Sequence, residues 1–223
     1  MSSSFELLLL GLALGVRHAT DADHVVAVSA IASRERSVQK AVLIGVSWGF
    51  GHALSVLCAG GAIVLLGVVI PPRLGLGMEL SVGLILVALG IGNLMGLSKR
   101  HGHAPSQTSG RGLGGLVKSL GVGVAHGLAG SAAVALLVLA SIDEPRSALL
   151  YLAVFAFGTL LGMVMLTSAL ALPVAYAAHR FERAHRELAR AAGLLSVAFG
   201  LVLVYRIGFV DGLFTSVAQF HPE

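Results

Sequence analysis

His18, Asp21, Asp23 and His24 stand in one phrase, Arg17-His18-Ala19-Thr20-Asp21-Ala22-Asp23-His24, and His52 closes a second, Gly49-Phe50-Gly51-His52. Imidazole nitrogen beside carboxylate oxygen is a donor set for Ni, Co, Zn, Cu or Fe, whereas Mg and Ca prefer all-oxygen shells. A neutral imidazole costs less to bury than a fixed charge and binds metal once deprotonated. Aspartate adds negative charge that offsets a dication. Both phrases interrupt long apolar stretches. Counting Arg17, the two phrases together carry six ionisable groups, and each costs about 2.5 to 3.5 kcal/mol in hydrocarbon on the lenient insertion scale. They need a compensating partner, and their types point to a transition-metal ion.

Helical geometry constrains how such an ion could be held. At about 100° per residue, His18, Asp21 and His24 share an arc of roughly 120°, and Asp23 points the opposite way. His18 and His24 would also stand about 9 Å apart along a regular helix, too far for easy ligation of one ion. Either the helix breaks near Ala19–Asp23, or the two histidines serve successive stops on a path. Arg17 and Asp21 are spaced i,i+4 and could pair, leaving Asp23 to supply net negative charge. The bland alternative is a polar helix-packing network. Ser55 and Asn93 read as helix–helix hydrogen-bonding groups, and His185 as a solvated residue of a charged connection.

The elements that position these groups follow from composition. Hydrophobic residues are 56% of the 223, charged residues 12%, and the mean hydropathy is +0.90. That charged share is about half of what a soluble domain carries. Apolar runs of roughly 20 residues or more indicate bilayer-crossing helices, and the lack of strand alternation and aromatic girdles argues against a barrel. Six spans are expected near residues 5–32, 39–70, 75–98, 113–141, 146–178 and 188–210. The apolar run Leu7–Leu14 has no preceding basic residue and no small-residue cleavage site, so it reads as the start of the first helix.

The pI near 9.7 reflects topology, with little left to argue for a nucleic-acid partner. Arg34, Arg36 and Lys40, then Lys99, Arg100, Arg111 and Lys118, then Arg180, Arg183, Arg186 and Arg190 all fall on one side of a six-span arrangement. The positive-inside rule places that side in the cytoplasm and both termini outside. Cys58, the single cysteine, cannot form an intrachain disulfide and reads as a small core residue.

The halves resemble each other. Gly15-Val16-Arg17-His18 echoes Gly123-Val124-Ala125-His126, Phe50-Gly51 echoes Phe157-Gly158, and Gly83-Leu84 echoes Gly193-Leu194, at offsets of 108, 107 and 110 residues. Three spans per half is an odd number, so the second half must cross in the opposite sense. The expected fold is thus an all-α polytopic membrane protein of six transmembrane helices, built as two inverted three-helix repeats. Residues 1–98 form the first repeat, 99–112 a cytoplasmic loop with His101 and His103, and 113–223 the second repeat. Inverted repeats of this kind build secondary transporters with a site near the midplane. His18, His52 and His126 each lie 13 residues into their spans, counted from Phe5, Gln39 and Leu113, which is about 20 Å and close to mid-membrane. Ser131 and Thr159 occupy the repeat positions of Asp23 and His52. His126 is therefore either a ligand or relay, or a packing histidine.

The motif His18, four residues, then Asp23-His24 resembles the signature of the NiCoT nickel/cobalt permeases. The stretch ending at His52 resembles that family's second segment. His126-Gly127-Leu128-Ala129-Gly130-Ser131 resembles the corresponding segment of its shorter, UreH-type branch. The resemblance implies that His18, Asp23 and His24, with His52 close behind, recognise Ni²⁺ or Co²⁺ as transported substrate, with no permanent cofactor. It further implies uptake across the cytoplasmic membrane to supply metalloenzymes such as urease or hydrogenase. The chain has six expected spans where the larger permeases have eight. Val25-Val26-Ala27-Val28-Ser29 also replaces a segment ending in Asp-Asn in many members. No nucleotide-binding P-loop and no HExxH is present, and one cysteine cannot run thiol-electron transfer. The remaining alternatives are metal efflux, a non-transporting membrane chaperone and a haem-binding protein; a homo-oligomer is compatible with the sequence. The partners expected are a transition-metal ion and the lipid bilayer.

Overall fold

A computed structural model describes residues 2–98, 113–129, 139, 141–142 and 144–215. Seven α-helices carry these residues: α1 (Ser2–His18), α2 (Ala22–Ala32), α3 (Val38–Leu66), α4 (Pro72–Ser98), α5 (Leu113–Leu128), α6 (Pro145–Arg180) and α7 (Glu182–Tyr205), the last running into a π-helical turn, Arg206–Val210. Among the described residues, four segments are long and apolar enough to cross a membrane: Val38–Leu66, Pro72–Met95, Pro145–Ala178 and Glu182–Val210. Each matches an expected span. The expected span 5–32 is two helices. The expected span 113–141 is helical over Leu113–Leu128, and residues 130–138 lie outside the described residues, as does the loop 99–112 with His101 and His103.

Local chemistry accounts for the ends of these helices. The first span breaks at Ala19–Asp21. There the backbone N–H groups of Thr20 and Asp21 reach back three residues, to Arg17 and His18 carbonyls at 2.8 and 3.0 Å, and the Thr20 hydroxyl donates to the Arg17 carbonyl at 2.6 Å. Asp21 is extended and begins α2 by accepting the Val25 N–H at 3.0 Å. Glycine ends α3, because Gly67 adopts φ 62°, a conformation costly for any side chain. Pro145 opens α6, where its missing N–H leaves nothing unsatisfied.

The principal packing partners are α1 with α6, α3 with α5, α3 with α6, and α4 with α7, while α2 is held among α4, α6 and α7. The first two crossings are so close that a Cβ on Gly15 would land on the Phe155 carbonyl oxygen, and one on Gly123 would land on the Trp48 carbonyl oxygen. Large apolar side chains such as Phe50, Leu84 and Phe157 face outward, each more than half exposed. His24, His52, Asn93, His126, Thr159 and Ser196 are buried. An apolar exterior, with the polar groups gathered inside among apolar packing residues, is the arrangement of a helical membrane protein.

Four expectations about single residues are corrected. Cys58 is exposed, on the same outward face of α3 as Leu54 and Leu57. His185 is buried, because α7 starts at Glu182, ahead of the expected span, and His185 heads the inward stripe with Ala189, Gly193 and Ser196. Ser55 donates to the Gly51 and His52 carbonyls of its own helix, not to a neighbour. The Arg17–Asp21 pair is not among the ion pairs of the described residues; Asp21 takes His18 instead. Asn93 does join helices, donating to the Ser33 hydroxyl at 3.0 Å and the Ala189 carbonyl at 2.9 Å.

Candidate metal centre

All six sequence-derived candidates meet in one place. His18 is the last residue of α1, Asp21 precedes α2, and Asp23 and His24 occupy its first turn. His52 comes from the middle of α3 and His126 from the last turn of α5. The break at Ala19–Asp21 brings His18 and His24 to a ring-centroid separation of 4.8 Å, about half of what a continuous helix would impose. It also lets the Asp23 carboxylate join the histidines, which the regular-helix geometry forbade.

Two carboxylates orient the rings. His18 Nδ1 stands 2.8 Å from Asp21 Oδ2, and His18 Nε2 stands 3.2 Å from His52 Nε2. Asp23 divides its two oxygens: Oδ1 accepts from the His24 backbone N–H at 2.9 Å and lies 3.1 Å from His24 Nδ1, while Oδ2 lies 2.8 Å from His126 Nε2. A carboxylate accepts, so the facing nitrogen carries the proton, and on His18 and His24 the opposite nitrogen presents its lone pair. This is the usual outer-shell device for aligning a metal-ligating imidazole. The N-terminus of α2 favours the negative charge of Asp21 and Asp23.

The donor set suits a divalent transition metal. The donor atoms of His18, His24 and His52 lie within 4.8 Å of one another, as do those of Asp23, His24 and His126. Two nitrogens bound tetrahedrally at about 2.1 Å from an ion stand roughly 3.4 Å apart, close to the His18–His52 separation of 3.2 Å. His24 Nε2, His52 Nδ1 and His126 Nδ1 are buried and have no hydrogen-bond partner among the described residues. A bound cation at His24 Nε2 would satisfy a polar atom that is otherwise costly.

Two features of the site were not read from the sequence. Trp48 stacks on His24 (ring centroids 6.1 Å apart, planes 13° apart) and Phe155 lies against His18 at 5.6 Å, walling the cluster on two sides. A cavity of about 300 Å³ reaches it, with Asp21 and Asp23 in its wall together with Glu79, Arg206 and Asp211. Glu79 and Arg206 are charges inside expected spans, and that was the available signal.

The chain is 36% identical over 217 residues to the urease accessory protein UreH of Bacillus sp. (strain TB-90), an alignment that covers 93% of this chain and 94% of that protein. No family model and no solved structure matches the chain.

Proposed function

The chain belongs to the nickel/cobalt transporter family, in its short UreH-type branch, and from that premise we propose that it is a secondary transporter of Ni²⁺ or Co²⁺. The carrying observation is the convergence of His18, Asp21, Asp23, His24, His52 and His126 at a helix break in a membrane protein. Asp21 and Asp23 together neutralise a dication, which removes most of the cost of holding it away from water. Imidazole nitrogens give transition-metal preference over Mg²⁺ and Ca²⁺. The ion is cargo, so the site must also release it.

The transporter is built of six spans in two inverted three-helix repeats. The paired crossings support this reading. Gly15 meets Phe155 as Gly123 meets Trp48, and Gly158 meets the Leu12 carbonyl as Gly51 meets the Leu120 carbonyl. Each pair is related by the sequence offsets. The repeat is broken in chemistry: Thr159, at the position of His52, keeps its hydroxyl on the Phe155 carbonyl of its own helix. The first half thus provides five of the six polar groups and the second half provides His126.

The carrier sits in the cytoplasmic membrane with both termini outside, and its direction is uptake. In that orientation the cavity beside Asp21 and Asp23 faces outward, since Glu79 is near the start of α4 and Arg206 and Asp211 follow the end of α7. The test is flux in proteoliposomes containing the purified full-length chain, with ⁶³Ni²⁺ and a panel of competing divalent ions, with and without an imposed proton gradient. Metal entry above that of protein-free vesicles, competed by Co²⁺ and not by Mg²⁺, is the expected result. Binding without flux would instead make the protein a membrane chaperone.

A further inference from the structure

Resting on the transporter reading, we infer that the cluster contains two overlapping ion positions that share His24, and that the ion steps from one to the other during transport. One position is Asp23, His24 and His126; the other is His18, His24 and His52. His24 is the only residue common to both sets.

The argument turns on the shape of imidazole. Its two nitrogens direct their lone pairs away from each other in the ring plane, so one ion in one place meets only one of them. His24 Nδ1 and His126 Nε2 point their N–H groups at Asp23, 3.1 Å from Oδ1 and 2.8 Å from Oδ2, so an ion at the Asp23 position takes the place of these protons, each of which passes to the other nitrogen of its own ring. His24 Nε2 is buried and has no hydrogen-bond partner among the described residues, and it is the nitrogen left for the position shared with His18 and His52. The two positions are therefore distinct points on opposite edges of one ring. A neutral imidazole carries one proton and one lone pair, so His24 offers an ion one edge at a time and the two positions exclude simultaneous occupancy.

Their order follows from the cavity. Asp23 lines it, while His18, His24 and His52 do not and are at most 5% exposed. An ion arriving through the cavity meets the carboxylate-containing set first and the three-imidazole set second. Charge captures it first, and ligand type then holds it where water is excluded. His126, on a different half of the chain from the other ligands, belongs only to the first position. Movement of α5 against α2 would then weaken the first position without disturbing the second.

The test uses the full-length protein in detergent, titrated with Co²⁺ and read by its ligand-field absorption, and the same variants in proteoliposomes with ⁶³Ni²⁺. Wild type should bind one ion. His52→Ala should keep the Asp23 position and His126→Ala the three-imidazole position, so each still binds one Co²⁺ but with different absorption spectra. Both should lose flux, and His24→Ala should lose binding altogether. If His52→Ala and His126→Ala both lose binding, or give one and the same spectrum, the cluster is a single position and the relay is overturned. Wild-type flux in either variant overturns it as well. His52→Gln and His126→Gln, which keep most of the side-chain volume, give the same readout should the alanine variants aggregate. A wild-type protein that neither binds nor moves any ion would overturn the transporter reading itself, a result separable from loss confined to the variants.

Discussion

Asp23 ties together two histidines 102 residues apart in sequence, one through each oxygen, at 3.1 and 2.8 Å. An asparagine there would keep the size and lose the charge and one acceptor. Asp23→Asn should abolish metal flux while leaving membrane insertion unchanged, as read by ⁶³Ni²⁺ uptake beside immunodetection in membranes; wild-type uptake would remove Asp23 from the transport path. Asp21 acts through His18, so its loss should be milder. Asp21→Asn is expected to weaken metal binding by about 10- to 100-fold, the usual cost of deleting an outer-shell partner, measurable by competition with a chromophoric chelator. At this scale the residue types were readable, because a charge in hydrocarbon is costly wherever it sits. Partner choice was not. Arg17 and Asp21 have the spacing for a pair, yet the chain turns at Thr20 and swings the carboxylate onto His18.

At the scale of elements, the break between α1 and α2 was foreseeable, since six positions on a regular helix cannot bring His18 and His24 to one ion. The helix crossings were legible only as small residues at suitable spacing. Gly15→Ala and Gly123→Ala should each destabilise the protein by about 1 to 3 kcal/mol, because the added methyl meets the backbone carbonyl of Phe155 or Trp48 rather than a movable side chain. Thermal unfolding in detergent, followed by circular dichroism, should show both midpoints lowered. Gly61→Ala is the control: among the described residues nothing beyond the backbone of its own helix lies within 4 Å of the new methyl, so helix propensity should hold or raise its midpoint, by up to about 1 kcal/mol. Equal losses at all three positions would mean that the close crossings are not what limits stability.

For the whole molecule, polar ties gather on the face opposite the cavity. Arg36 reaches Glu182 at 2.8 Å, and Arg34 donates to Asn93 at 3.2 Å, joining the end of α2 and the start of α3 to α4 and α7. In the proposed orientation, with the termini outside, the cavity lies towards the outer side and these ties towards the cytoplasmic side. Leu203 lines the cavity. In a Cys58→Ser background, needed because Cys58 is exposed, Leu203→Cys should react with a membrane-impermeant thiol reagent from outside intact cells. It should react more slowly when saturating Ni²⁺ is present. Labelling from the cytoplasmic side alone would reverse the orientation. The Arg36–Glu182 pair is about half exposed at both ends, so Glu182→Gln should change stability by less than about 1 kcal/mol, measured by the same thermal unfolding.

The sequence by itself determined that the molecule is helical and apolar enough for a membrane, that its first two apolar runs carry ionisable groups of metal-ligating types, and that His18 and His24 need either a break in the first span or two successive stops. Each follows from local quantities: hydropathy over one span, rise per residue, and the cost of a buried charge. Only the tertiary structure decided that His126 approaches Asp23, that Trp48 and Phe155 wall the rings, that His185 turns inward and Cys58 outward, and that a cavity ends on Asp23. These depend on the rotational phase of each helix about its axis and on which helix lies beside it. Both are set by side chains from distant parts of the chain packing together, and no single apolar run encodes them.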